Sequence, residues 1–248
     1  MLKPINYAHR GASGYCPENT LAAFRKAIEL GATGMETDVQ MTKDGVLVLI
    51  HDESLQRTAG DPRLVKDVTH EQLQQLDAGS WYSGACTDER VPTLQSLLQL
   101  AAQHNITLNL ELKNGLTPYP GLEQAVIAMV REYDWTGRTI ISSFNHYSLA
   151  ECKRLAPDIR TGVLYMEGLY EPWEYAKRLG ANALHAAHYA VLPEWVAAAK
   201  EQGMIYNPFT VNDVKEMERL LDAGVAGIIT DYPDRLAELL RTREGTAQ

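Results

Sequence analysis

The sequence predicts an α/β fold, a closed (β/α)8 barrel with a small insertion between its second and third barrel strands. Three observations support this. Short apolar strand segments alternate with helix-period segments along all 248 residues. No G-x-G-x-x-G follows the first strand, so the dinucleotide-binding form of the open sheet loses support. The length suits one barrel of about 250 residues, and no Gly/Ser- or Pro-rich linker divides the chain.

In chain order the barrel strands are read at 5–8, 34–39, 107–112, 139–142, 161–165, 183–185, 204–209 and 227–230. Helical periodicity covers 20–30, 94–104, 122–133, 147–155, 172–179, 193–202 and 214–223. Gly31, Gly180, Gly203 and Gly224 stand where a C-terminal glycine ends a helix. One segment, 46–50, follows the second strand after only Met41-Thr42-Lys43-Asp44-Gly45. Asp-Gly is a hairpin signal and a parallel crossover needs about a dozen residues, so 46–50 is expected to fold back antiparallel. Pairing Thr42 with Gly45 would set Glu36 opposite His51. Residues 53–92 are polar, contain Gly60, Gly79 and Gly84, and are too long for a plain loop. They are expected as an excursion within one domain spanning 1–248.

Composition narrows the function. Hydrophobic residues at 45% and charged residues at 22% are ordinary globular values, which exclude disordered, collagen-like and disulfide-dense classes. Lys+Arg 23 against Asp+Glu 32 gives −9, a poor match to nucleic acid or an anionic membrane surface. No apolar run approaches the ~18 residues of a membrane span, and the first residues lack a secretory signal pattern. Three cysteines, Cys16, Cys86 and Cys152, are an odd number without paired spacing, as in a reducing compartment. The expectation is a soluble cytoplasmic protein with no nucleic-acid or membrane partner; a homo-oligomer is compatible with the sequence.

Barrel enzymes keep their chemistry at the C-terminal ends of the strands. There the first strand runs into His9-Arg10, the second carries Glu36 and Asp38, its return arm ends at His51-Asp52, and the third carries Glu111 and Lys113. Residues i and i+2 of a strand share a face, which pairs Glu36 with Asp38 and Glu111 with Lys113. Three converging carboxylates repel unless a cation neutralises them, and all-oxygen ligands suit one hard divalent ion, Mg²⁺ or Ca²⁺. The opposite face of a barrel strand lies under helices, where an acidic pair would be costly. His9 and His51 flank the cluster and suit an acid/base pair. The other histidines have ordinary structural readings, although His185 and His188 lie near a strand end and could line the pocket. Arg10 and Lys113 suit an anionic phosphate oxygen. Together these residues point to metal-assisted transfer or hydrolysis at phosphorus.

Four segments resemble the glycerophosphodiester phosphodiesterase family, in particular its short cytosolic bacterial type. They are AHRGASGYCPENTLAAFRKAIELGA at 8–32, METDVQMTKDGVLVLIHDESLQRT at 35–58, LNLELK at 108–113 and GIITDYPD at 227–234. The resemblance implies a TIM-type barrel with a small insertion, one divalent cation, and hydrolysis of glycerophosphodiesters such as glycerophosphocholine and glycerophosphoethanolamine. It implies Glu36, Asp38 and Glu111 as metal ligands, His9 and His51 as the acid/base pair, and Arg10 and Lys113 as phosphate contacts. Glu18 and Asn19 are near the site in the family, with N-capping of the first helix an alternative for Asn19. Relatives commonly read W-T-V-N near the seventh strand; here Pro208-Phe209-Thr210-Val211-Asn212 puts Phe209 as the aromatic wall for the glycerol moiety, without an indole N–H. Attack on phosphorus by the glycerol 2-hydroxyl and direct attack by water both stay open.

Two other readings compete. Hydrolysis of larger lipids, as a lysophospholipase D or a phosphoinositide-type phospholipase C, would call for an interfacial apolar surface or anchor, and no basic amphipathic helix is evident. A non-catalytic barrel that only binds a phosphate ester would be expected to have lost an acid/base or ligand residue, and each is present.

Overall fold

Strands β1 (Ile5–His9), β2 (Gly34–Met41), β4 (Thr107–Leu112), β5 (Thr139–Ser143), β6 (Arg160–Tyr165), β7 (Ala183–Ala186), β8 (Ile205–Tyr206) and β9 (Gly227–Thr230) form a parallel ring in the order β8-β7-β6-β5-β4-β2-β1-β9, and β3 (Leu47–Leu49) pairs antiparallel with β2. The computed structural model describes residues 3–82 and 88–246, so the readings that involve Gly84 and Cys86 fall outside the described residues. Backbone bonds from Ala226 N to Tyr206 O at 2.9 Å and from Ile229 N to Pro208 O at 3.0 Å close the ring between β8 and β9. The seventh barrel strand is shorter than the sequence suggests, because Pro208 has no N–H to donate, yet Phe209 N still reaches Ala186 O at 3.0 Å.

The outer layer comprises α1 (Leu21–Glu29), α4 (Leu94–Ala101), α5 (Leu122–Glu132), α6 (His146–Leu155), α7 (Pro172–Arg178), α8 (Pro193–Glu201), α9 (Val214–Ala223) and α10 (Pro233–Thr246). Their buried faces share one core with the strands, built on residues such as Phe24, Leu97, Val126, Leu149 and Leu220. The last helix was not read from the sequence: among its described side chains Leu236 and Leu240 are buried and Leu239 packs partly against the core, a short set spaced among charged residues. Thr20, whose side chain accepts from Ala23 N, caps α1, so the capping alternative for Asn19 is wrong.

The hairpin register also needs correction. Thr42 pairs with Val46, not Gly45, through Thr42 N to Val46 O at 3.0 Å, and Val39 faces Leu49. Lys43, Asp44 and Gly45 form a three-residue loop in which Gly45 takes a left-handed φ of 83°. The extra loop residue shifts the pairing by one, so His51 does not stand opposite Glu36. It is held instead by buried Gln40, whose amide donates to the carbonyls of Ile50, His51 and Asp52 at 2.9, 3.0 and 2.8 Å. Tyr119 Oη donates to the Gln40 carbonyl at 2.7 Å and fixes that amide. After β3 the chain makes α2 (Gln56–Ala59) and α3 (His70–Gln74), which enclose a second small core of Val48, Leu55, Val65, Val68 and Leu73.

Inside the ring, His185 is fully buried beside Gly162, and a Cβ on Gly162 would sit 2.6 Å from its Nε2. Gly162→Ala is therefore expected to destabilise the fold by about 1–3 kcal/mol, read as a lower Tm. A Tm equal to wild type would show that the ring can move aside.

Candidate functional site

Parallel pairing of β2 with β4 sets Asp38 beside Glu111 and Glu36 beside Asn109. One carboxylate oxygen from each of Glu36, Asp38 and Glu111 lies within 4.8 Å of the others. Burial, followed by the charges of Asp38 and Glu111, pushes the Glu36 carboxyl well above its ordinary range. Burial and Asp38 push Glu111 up to about 7. At Asp38 burial acts upward but is outweighed by Arg10, His51, Lys113 and the amide of Asn19, so that carboxyl is lowered. With all three carboxyls ionised the cluster would hold more negative charge than Arg10 and Lys113 neutralise, and its donors are all hard oxygens, which fits a divalent cation.

A pH effect follows in the metal-free protein. Folding raises the Glu111 carboxyl from 4.5 to about 7, so the stability it contributes is complete below about pH 4.5 and is lost as pH rises through about 7. Glu36 acts in the same direction. Thermal unfolding in chelator should show this loss of Tm, and saturating divalent cation should remove it. A Tm in chelator that stays flat from pH 5 to 7.5 would contradict the electrostatic description.

Two cations border the carboxylates. Arg10 follows β1 in a left-handed conformation, φ 54°, that turns its N–H onto Glu36 Oε2 at 3.0 Å. Gly11 behind it packs so closely on α1 that a Cβ would meet the Ala23 backbone at 2.6 Å. The Arg10 guanidinium donates to Glu18 Oε1 at 3.0 Å and lies 3.3 Å from Asp38. Lys113 Nζ is 3.1 Å from Glu111 Oε1 and 3.9 Å from Asp38. Asn19, also left-handed at φ 57°, donates to Asp38 Oδ2 at 2.9 Å and accepts from Thr37 Oγ1 at 2.6 Å.

Each flanking histidine is backed by an aspartate. His9 Nδ1 lies 2.6 Å from Asp231 Oδ1, and His51 Nδ1 lies 2.6 Å from Asp52 Oδ1. An ionised carboxylate only accepts, so the proton sits on Nδ1 in both rings and leaves Nε2 as the basic atom. His9 Nε2 points toward Glu36 at 3.9 Å, and His51 Nε2 toward Lys113 Nζ at 3.2 Å. Burial pushes the Asp231 carboxyl upward, but hydrogen bonds from His9, Asn212 and Ser13 bring it down to about 2. Asp52 is held well below the usual carboxylate range, above all by Arg57, which donates from Nε to Oδ2 at 2.7 Å and from Nη2 to Oδ1 at 2.9 Å. Arg57 also grips Glu18 at 2.7 and 2.9 Å, linking the excursion to the Arg10 side.

Of the residues read from the sequence, the fold thus brings together His9, Arg10, Glu18, Asn19, Glu36, Asp38, His51, Glu111 and Lys113. Phe209 joins them, lining a narrow cavity with His9, Glu36, Asn109 and Glu111. His185 does not. It is enclosed in the barrel, accepts from Asn207 Nδ2 at 3.1 Å, and burial lowers its imidazole to about 3, so it does not line the pocket. His188 is tied to Glu216 at 3.0 Å. Asp52, Arg57, Asp231, Ser13 and Asn212 received no role from the sequence. Asp52 and Asp231 did stand at strand ends beside candidate residues, which is a usable signal, whereas Arg57 is joined to the site only through tertiary structure.

Residues 9–235 match the model of the glycerophosphoryl diester phosphodiesterase family. A glycerophosphodiester phosphodiesterase of Caldanaerobacter subterraneus subsp. tengcongensis is 46% identical over 97% of this chain and 99% of its own length. An Oleispira antarctica phosphodiesterase, solved in complex with the product sn-glycerol-3-phosphate, superposes with a TM-score of 0.87 at 32% identity, covering 95% of this chain and 96% of that one. A glycerophosphodiester phosphodiesterase from Parabacteroides distasonis superposes with a TM-score of 0.81 at 33% identity, over 97% and 99% of the two chains.

Proposed function

As the chain belongs to the glycerophosphoryl diester phosphodiesterase family, we propose that it hydrolyses glycerophosphodiesters to sn-glycerol 3-phosphate and an alcohol. The observation that carries this reading is the carboxylate triad with two imidazoles at its border, His9 Nε2 directed at Glu36 and His51 Nε2 at Lys113. Glu36, Asp38 and Glu111 would hold one divalent cation, Mg²⁺ or Ca²⁺. When bound, that ion supplies positive charge to the non-bridging phosphate oxygens.

The protein side chains do the rest. Arg10 and Lys113 orient the phosphate and balance the charge that grows on it. One histidine takes the proton of the attacking hydroxyl at Nε2, and the other delivers a proton to the departing alcohol oxygen. Asp231 and Asp52 hold the rings in the tautomer this needs. If the glycerol 2-hydroxyl attacks, a cyclic phosphate forms and is opened by water with the roles reversed. Substrates lacking that hydroxyl separate the routes, because unchanged turnover rules out internal attack. We further read the chain as one barrel domain of the cytoplasm; among the described residues no helix is long and apolar enough to cross a membrane.

Arg57 tests the support behind His51. Arg57→Ala is expected to lower kcat about tenfold with KM little changed, and Arg57→Lys to restore part of the loss, since buttresses of this kind typically cost 10–100-fold. Equal kcat in wild type and Arg57→Ala would remove it from the arrangement. The reaction itself is tested by coupled detection of glycerol 3-phosphate during incubation with glycerophosphocholine. Stoichiometric release supports the reading, and binding without release would leave a phosphate-ester-binding barrel in its place.

A further inference from the structure

Lys113 stands one residue past the end of β4, and the chain on either side of it is pinned by side chains from α5 and from the β5–α6 junction. Before it, Ser143 Oγ donates to Leu112 O at 2.9 Å. After it, Asn114 is buried, and its amide nitrogen donates to Glu123 Oε1 and to Ser148 Oγ, both at 2.9 Å. Ser148 Oγ in turn donates to Glu123 Oε1. The main-chain oxygen of Asn114 accepts from Asn145 Nδ2 at 3.2 Å, while Asn145 Oδ1 caps α6. One asparagine thus ties the end of β4 to the first turns of both helices.

What this network fixes is the place of the Lys113 ammonium. Its Nζ stands 3.1 Å from Glu111 Oε1, 3.2 Å from His51 Nε2 and 3.9 Å from Asp38. A lysine carries rotatable donors on a flexible stem, so the side chain alone does not select one position. The backbone it hangs from has to be held on both sides. Lys113 N donates to Val39 O at 3.1 Å, which secures the strand side. The connection beyond Asn114 offers no comparable grip: it starts at Gly115, exposes Leu116 at 84%, and ends at Gly121 with a left-handed φ of 85°. Asn114 is the anchor on that side. Removing its amide would leave the buried oxygens it serves short of a donor as well.

We propose that Asn114 is a positioning residue for the reaction, holding Lys113 where it meets the phosphate through its pairing with Glu123 and Ser148. The assignment rests on the hydrolytic reading above, in which Lys113 orients the phosphate. Its test is a double-mutant cycle on kcat/KM for glycerophosphocholine. Asn114→Ala is expected to lower kcat/KM about tenfold, the cost of losing a supporting contact of this kind. In a Lys113→Ala background the same substitution should cost less than about twofold, because no ammonium is left to misplace. Loss of folded protein would lower both backgrounds alike, so a tenfold loss in each would overturn the proposal. A second arm exchanges donor and acceptor. Asn114→Asp sets two carboxylates against each other and should lower kcat/KM at least as far as Asn114→Ala. Adding Glu123→Gln returns one donor and one acceptor to the pair in exchanged places, and should recover part of the loss. No recovery would also overturn the assignment. Either failure in an active wild type strikes Asn114 alone, whereas wild-type enzyme that releases no glycerol 3-phosphate would overturn the hydrolytic reading itself.

Discussion

Replacing His51 by alanine is expected to lower kcat by at least ~10²-fold while leaving divalent-cation affinity nearly unchanged. The imidazole is placed for proton transfer and not for ligation. Its Nδ1 is committed to Asp52, its Nε2 faces Lys113, and the three clustered carboxylates form a donor set without it. Loss of the ring removes a proton carrier from the path between attacking or leaving oxygen and solvent. The same size of effect is expected for His9→Ala, whose Nδ1 is committed to Asp231. Near-wild-type turnover in either variant would take that histidine out of the reaction.

Glu36→Gln should separate activity from stability in a way that few substitutions do. It removes one ligand oxygen's charge, so cation affinity is expected to drop by at least ~10²-fold, the upper end of what losing a mere supporting contact costs. Activity at limiting metal falls with it. Yet the metal-free variant should melt higher than metal-free wild type at pH 7, because a buried carboxyl strained by Asp38 and Glu111 is replaced by a neutral amide. Relief of each kcal/mol corresponds to roughly 2–4 °C for a chain of this size. Cation at a concentration that saturates wild type should reverse the order, with wild type the more stable, since the tighter binder gains more binding energy. A metal-free Glu36→Gln protein that melts below wild type would mean that Glu36 serves packing more than charge.

Much of this site could be read in the sequence, for a physical reason. Barrel strands alternate in facing, so Glu36 with Asp38 and Glu111 with Lys113 declare a shared face without any tertiary information. What could not be read depends on contacts between distant segments. Asp231 meets His9 only when the ring closes, 222 residues apart in sequence. Arg57 reaches Glu18 and Asp52 only after the excursion folds on its own small core. The hairpin register turned on whether the loop held two residues or three, a choice that Asp44-Gly45 leaves to the left-handed glycine. His185 looked available at a strand end because length alone does not say that its ring turns into the barrel against Gly162.

The most direct single measurement is a stoichiometric titration of chelator-stripped protein with Mg²⁺ or Ca²⁺, following bound metal and glycerol 3-phosphate release together. Turnover should be absent at the start, rise in proportion to bound metal and saturate at one ion per chain. Full turnover in excess chelator would contradict the assignment of Glu36, Asp38 and Glu111 as the ligands of a required cation.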